Sequence, residues 1–269
     1  MNGKQASQTV LITGGSGGIG LALAKAFAAR GARLLLVSKT PAGLERARTE
    51  LLTTSPQTPV ETLALDLSRD DAADSIHRWT EQNGWAVDIL VNNAGFGSWG
   101  YADQIAEESD LLMFRLNMIT PYLLMRRYLP AMRERNAGAI INMSSIAGIW
   151  NLPGFVSYGA TKAFLRFYSL SLGMELALEG SAVRVMAICP SSVKSTNFQA
   201  KAGMNHTDMF DNMFTTTPEE VARDTLRALD RGLPLVVSGR VMRGAAPLLS
   251  SIPRRLFSLV AKPNLSRTP

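Results

Sequence analysis

The chain is poor in the residues that most often build metal and nucleophile sites. Its 269 residues include one cysteine, Cys189, and two histidines, His77 and His206. A single cysteine excludes an internal disulfide and fits a reducing, cytoplasmic setting. Two histidines leave little material for a histidine metal site or a Ser-His-Asp triad, so no metal is expected. No stretch reaches the roughly 18 uninterrupted apolar residues of a membrane-spanning helix. The opening MNGKQASQTVLITGG has no long apolar core or cleavage site, so no signal peptide is read there. Net charge is +6, yet no Lys/Arg run looks like a nucleic-acid arm. The excess is read as a phosphate-rich ligand and an ordinary basic surface, with no nucleic-acid partner. Apolar residues make up 46% and charged residues 19%, which suits a sizeable core and excludes disorder.

What is present alternates. Short segments apolar on both faces recur at Thr9–Thr13, Arg33–Ser38, Val60–Asp66, Val87–Asn92, Ala139–Ser144, Ala182–Ile188 and Leu235–Ser238. Helical patterns separate them: Gly20 to Arg30, Pro41–Thr54, Ser68–Asn83 with Ser68 as cap, Glu107–Asn136 with a kink at Pro121, Phe155–Glu179, and Pro218–Arg231. No linker, repeat or low-complexity block divides them. The pattern predicts a single α/β domain with a Rossmann-like, doubly wound, parallel seven-stranded sheet and helices on both faces. Ligands then bind outside the carboxyl ends of the strands.

The turn after the first strand is Gly14-Gly15-Ser16-Gly17-Gly18-Ile19-Gly20. It is either a tight connection or a phosphate cradle at a helix N-terminus, and its place after the first strand favours the cradle. The second strand ends Ser38-Lys39-Thr40, with no acid before Glu45. An acid there would bind the ribose 2′-hydroxyl of NAD, whereas an ammonium and two hydroxyls suit the 2′-phosphate of NADP. A polar turn with an exposed Lys is the plainer reading; given a dinucleotide site, NADP is favoured. Asp66 either accepts from an adenine amino group or caps a helix. Asn92-Asn93-Ala94-Gly95 suits a backbone passing close to a cofactor, or a plain turn.

Ser145 falls at the carboxyl end of the fifth strand. Tyr158 and Lys162 lie one helical turn apart, so their head groups can share one small volume. A free phenol is a poor proton donor or acceptor at neutral pH, and an adjacent ammonium would lower its pKa. An acid/base device and two unrelated helix residues both fit that spacing. Asn117 is an awkward polar residue inside a long helix.

Taken together, TGGSGGIG at Thr13–Gly20, NNAG at Asn92–Gly95, Asn117, Ser145 and YGATK at Tyr158–Lys162 resemble the short-chain dehydrogenase/reductase family in order and spacing, over about Thr9 to Arg240. The wording NNAGFG, INMSSIAG and YGATKAF is most similar to a single-domain branch containing many NADP-dependent reductases. The resemblance implies an NADP(H)-dependent carbonyl reductase/alcohol dehydrogenase. In it Tyr158 exchanges a proton with substrate and Ser145 hydrogen-bonds the carbonyl. Lys162 lowers the Tyr158 pKa and holds the nicotinamide ribose, and Asn117 supports a proton relay. Ser144 is rejected as catalytic. The cofactor contacts it implies are Gly14, Ser16, Gly17, Gly18, Ile19, Gly20, Ser38, Lys39, Thr40, Asp66, Leu67, Asn93, Ala94, Gly95, Tyr158, Lys162, Pro190, Val193 and Ser195. The chain departs from the family where Ser191 replaces the glycine that usually follows Pro190. The family also implies a homodimer or homotetramer paired through the long helices that carry Asn117 and Tyr158. A non-catalytic NADP-binding regulator, and a dehydratase or epimerase, are the alternatives.

A lid over 194–217 carries Phe198, Met204, Met209, Phe210, Met213 and Phe214. Either these line an apolar pocket for a medium-sized ketone or they pin the lid to the core. The extension 241–269 contains an apolar, basic stretch over 246–262 that packs on protein or rests on a membrane surface. Packing is favoured because Pro253 interrupts it.

Overall fold

The computed structural model describes residues 8–194, 215–239 and 242–244. Seven strands form one sheet: β1 (Thr9–Thr13), β2 (Arg33–Ser38), β3 (Val60–Ala64), β4 (Ile89–Asn92), β5 (Ala139–Met143), β6 (Arg184–Pro190) and, last in the chain, β9 (Leu235–Ser238). Their order is β3-β2-β1-β4-β5-β6-β9, and every neighbouring pair is parallel. This is the doubly wound arrangement that the alternation predicts, with the order reversing between β1 and β4.

Strand alternation explains why both sheet faces are apolar. Val10, Ile12, Leu34 and Leu36 pack with α1 (Gly18–Ala28), α2 (Pro41–Thr54) and α7 (Pro218–Arg231). The intervening Leu11, Leu35 and Val37 pack with α3 (Ala72–Gln82), α5 (Thr120–Glu134) and α6 (Val156–Leu178). Each fully buried Leu contributes roughly 1.5–3 kcal/mol. α7 is bounded as its sequence suggests: Thr217 accepts from the Glu220 amide, Pro218 opens the helix, and Gly232 ends it at φ 65°.

Two expectations about helices are corrected. Ser68 caps nothing, because its amide and hydroxyl both donate to Asp66 Oδ1, and α3 starts later, at Ala72. The long segment over Glu107–Asn136 is not one helix kinked at Pro121. It is α4 (Glu107–Phe114), a π-helical turn over Arg115–Ile119, and α5, with Pro121 in the first turn of α5. An extra pair of short strands, β7 (Ser192–Val193) and β8 (Thr215–Thr216), brings together the two ends of the expected lid. The lid residues 195–214, with Ser195, Phe198, Met204, Met209, Phe210, Met213 and Phe214, lie outside the described residues. So does the stretch 246–262.

Candidate active site

A cleft of about 470 Å³ opens at the carboxyl ends of the strands, within the usual size range for a small-molecule site. One end is built by the glycine-rich turn. Gly14 adopts φ 68°, and a Cβ on Gly20 would lie 2.2 Å from the Gly14 carbonyl oxygen. Only glycines let the turn fold back on the first turn of α1, leaving the helix N-terminus open to an anion. Asn93 locks the same turn by donating from Nδ2 to the Thr13 and Gly14 carbonyls at 2.9 and 3.3 Å.

Ser16 and Ser38 share a hydroxyl hydrogen bond of 2.7 Å at this end, where Thr40, Gly43 and Arg46 also line the cleft. Lys39 does not reach in. Its ammonium pairs with Asp66 Oδ2 at 2.7 Å, and that pairing is the main reason the Asp66 carboxyl falls to about 2. Leu67 is buried, and its carbonyl accepts from Thr120 Oγ1 at 2.7 Å. Lys39, Asp66 and Leu67 are thus not on the cleft wall, whereas the unforeseen Arg46 is. The only signal for Arg46 was Gly43, a small residue in the first turn of α2 facing Ser16 and Thr40.

At the other end, Ser145, Tyr158 and Lys162 converge. Ser145 Oγ accepts from the Ala147 amide at 3.1 Å, shaping a short 3-10 turn over Ile146–Gly148. It also hydrogen-bonds Tyr158. The Ser144 hydroxyl turns away from chemistry and donates to the Lys162 carbonyl at 2.7 Å. Lys162 Nζ donates to the Met143 carbonyl at 2.8 Å and lies 5.7 Å from the Tyr158 ring centroid.

Burial dominates both Tyr158 and Lys162, pushing the phenol up to about 12 and the ammonium down to about 8. Tyr158 is therefore held as a protonated acid. Cys189 beneath is buried and also pushed up, to about 11, which keeps its thiol inert.

Asn117 is fully buried within the π-helical turn. Its Oδ1 accepts from the Phe96 amide at 3.2 Å, and its Nδ2 donates to the Phe96 carbonyl at 2.8 Å and to Thr161 Oγ1 at 3.1 Å. It ties the loop after β4 to the helix carrying Tyr158 and Lys162. It does not line the cleft.

Gly14, Ser16, Gly17, Gly18, Ile19, Ser38, Thr40, Asn93, Ala94, Gly95, Pro190 and Val193 line the cleft. Phe96 and Leu152, from the loops after β4 and β5 that the sequence offers as pocket walls, form an apolar wall beside Tyr158 together with Ile146 and Phe155. Among the described residues no cluster of three or more His, Cys, Asp or Glu could hold a metal. No described helix is long and apolar enough to cross a membrane.

Comparison with known proteins agrees with this geometry. The family model described as short chain dehydrogenase matches residues 8–206. A short chain dehydrogenase of Pseudocercospora fijiensis (strain CIRAD86) is 36% identical over 195 residues, covering 72% of this chain and 62% of that one. The very-long-chain 3-oxoacyl-CoA reductase of Mus musculus is 33% identical over 187 residues, covering 68% of this chain and 59% of that one. The match thus spans about three fifths of the length of these relatives. Among solved structures, a short-chain dehydrogenase from Sphingobium yanoikuyae in complex with NADPH superposes with TM-score 0.78 at 29% identity, over 92% of this chain and 97% of that one. On the family match and on the convergence of Ser145, Tyr158 and Lys162 at one cleft, the chain belongs to the short-chain dehydrogenase/reductase family of oxidoreductases.

Proposed function

We propose that the protein is an NADP(H)-dependent carbonyl reductase/alcohol dehydrogenase for a medium-sized, largely apolar ketone or secondary alcohol. One observation carries the reading. The buried Tyr158 phenol and the Ser145 hydroxyl sit at the apolar end of a cleft whose other end is a glycine-rich helix N-terminus.

The residues present fit a dinucleotide. The glycine turn leaves amides open to a pyrophosphate, and Ser16, Ser38, Thr40 and Arg46 offer donors where a 2′-phosphate would sit. Arg46 makes no ion pair among the described residues, so its charge is available. The NADPH-bound relative supports the same preference. When bound, the nicotinamide supplies or accepts the hydride.

The chain's own part is proton and charge management. Ser145 donates a hydrogen bond to the substrate oxygen. Tyr158 delivers the proton that turns the developing alkoxide into a hydroxyl, so a carbonyl plus hydride plus proton gives an alcohol. Lys162, one turn further along α6, holds the ribose hydroxyls and lends its charge to the phenolate left behind. Phe96, Leu152 and Phe155 favour an apolar substrate body, such as a 3-oxoacyl chain, an aromatic ketone or a polycycle. The single, buried Cys189 suits a reducing cytoplasm.

The test is nucleotide oxidation against a panel of apolar and polar ketones, using NADPH and NADH and the Tyr158→Phe variant. The expected result is turnover with NADPH on apolar ketones, lost in Tyr158→Phe. Arg46→Ala narrows the preference for NADPH by roughly 10-fold and leaves NADH unchanged. Tight NADPH binding with no ketone reduced and no alcohol oxidised would replace this reading with a cofactor-binding regulator.

A further inference from the structure

Tyr158 stands in the first turn of α6, and that turn lacks an ordinary cap. Phe155 occupies the N-cap position and offers no side-chain hydrogen bond. An uncapped first turn frays, and fraying here would swing the catalytic phenol. Something else must hold it.

Asp110 does. It lies in α4 beside Glu107 and Glu108, which are exposed, but it is itself half-buried. Its Oδ2 accepts a short hydrogen bond from the hydroxyl of Ser157, the residue immediately before Tyr158. Its Oδ1 accepts a longer one, 3.5 Å, from Ser98 in the loop after β4. It forms no ion pair among the described residues, so this carboxylate serves hydroxyls alone.

The Ser98 arm leads to the substrate wall. Trp99, next in the chain, meets Phe155 edge to face with centroids 4.7 Å apart, and Phe155 lies 5.5 Å from the Tyr158 ring. The Trp99 ring also fills the space where a Cβ on Gly154 would sit, 2.7 Å away, and Gly154 adopts φ 86°. The Gly100 amide donates to the Gly154 carbonyl at 3.1 Å, which joins the two loops again. One carboxylate thus links the residue before Tyr158 to the loop that carries Trp99.

We propose that Asp110 is a positioning residue that sets the alignment of Tyr158 through Ser157 and the width of the substrate wall through Ser98, and so governs both rate and the size of ketone accepted. The inference rests on the reductase reading above.

The experiment compares Asp110→Ala, Asp110→Asn, Ser157→Ala and Ser98→Ala with the unmodified protein. It measures kcat and KM on small and bulky apolar ketones, NADPH affinity by fluorescence titration, and thermal unfolding. Asp110→Ala is expected to lose roughly 10- to 100-fold in kcat, the scale set by a displacement of about an ångström at the reacting atoms. Its NADPH affinity stays unchanged. Asp110→Asn, which keeps one acceptor, recovers part of the loss. Ser157→Ala reproduces the kcat loss, while Ser98→Ala raises KM for bulky ketones and leaves kcat. The double variant Asp110→Ala/Ser157→Ala is no worse than Asp110→Ala, because the two act through one bond.

An unchanged kcat in Asp110→Ala overturns the proposal. So does a loss shared equally by kcat, NADPH affinity and unfolding temperature. Should Asp110→Ala fail to fold, the two serine variants decide the matter, and wild-type kinetics in both would overturn it. Tyr158→Phe separates the two levels. If that variant stays active, the reductase reading fails and this one with it. If Tyr158→Phe is dead and Asp110→Ala is not, only the role of Asp110 falls.

Discussion

Burial acts on Tyr158 and Lys162 in opposite senses, because it disfavours whichever form is charged. The phenol is held protonated and the ammonium is made easier to neutralise, with pKa values near 12 and 8. At neutral pH the pair is an acid next to a cation, the combination that carbonyl reduction needs. As pH rises through about 8, Lys162 loses its charge and no longer supports the phenolate that proton delivery leaves behind. The expected outcome is a kcat for ketone reduction that is level at lower pH and declines through about 8, with Lys162→Met low and flat across the range. A steady-state pH profile checks this. The stability sign follows from the same shift. The folded pKa of Lys162 lies below the unfolded value of 10.5, so its burial penalty is full below about 8 and is relieved between about 8 and 10.5. Activity and this contribution to stability therefore move in opposite directions with pH.

At the scale of elements, the long segment from Glu107 shows where folding needs something that periodicity does not encode. Asn117 sits in a π-helical turn, not in regular helix. The π-helical turn shifts the register, and its amide then takes both the amide and the carbonyl of Phe96. Removing it leaves both backbone groups unpaired inside the protein. Asn117→Ala is expected to cost about 2–3 kcal/mol, read as a lower denaturation midpoint, together with a large loss of turnover. Strand and helix limits such as Arg33–Ser38 and Pro41–Thr54 were legible because apolar runs, Pro and turn residues carry them locally. The glycine turn and the Ser145, Tyr158 and Lys162 set stood out only through their combined resemblance to the family, since each short motif alone also fits a plain reading. What escaped depended on competition between distant groups. Asp66 accepts from Ser68 and pairs with Lys39, so Ser68 does not cap α3 and the Lys39 ammonium lies on Asp66. Arg46 entered the cleft because α2 lies against Gly43's neighbours Ser16 and Thr40, a juxtaposition that no local pattern reports.

At the scale of the whole molecule, α6 has two jobs. Its inner face carries Tyr158 and Lys162, while its outer face exposes Phe167 at 71%, Met174 at 69% and Leu178 at 89%. These three fall on one stripe of the helix. The neighbouring α4 and the π-helical turn expose Leu111, Leu112 and Ile119 as well. We propose that these apolar residues, grouped on adjacent helices, form an association surface, where a two-fold pairing would bury each stripe against its own copy. The consequence reaches the active site, because the helix that would be clamped by its partner is the one whose uncapped first turn carries Tyr158. Phe167→Asp places a charge on the stripe and touches nothing in the cleft. It is expected to shift the solution mass, measured by light scattering on the eluting peak, from a multiple of the chain mass to that of a single chain. Turnover should fall along with it and recover when high protein concentration restores association. An unchanged mass in Phe167→Asp would mean that this face is covered in some other way and that α6 is held in place by Asp110 and the core alone.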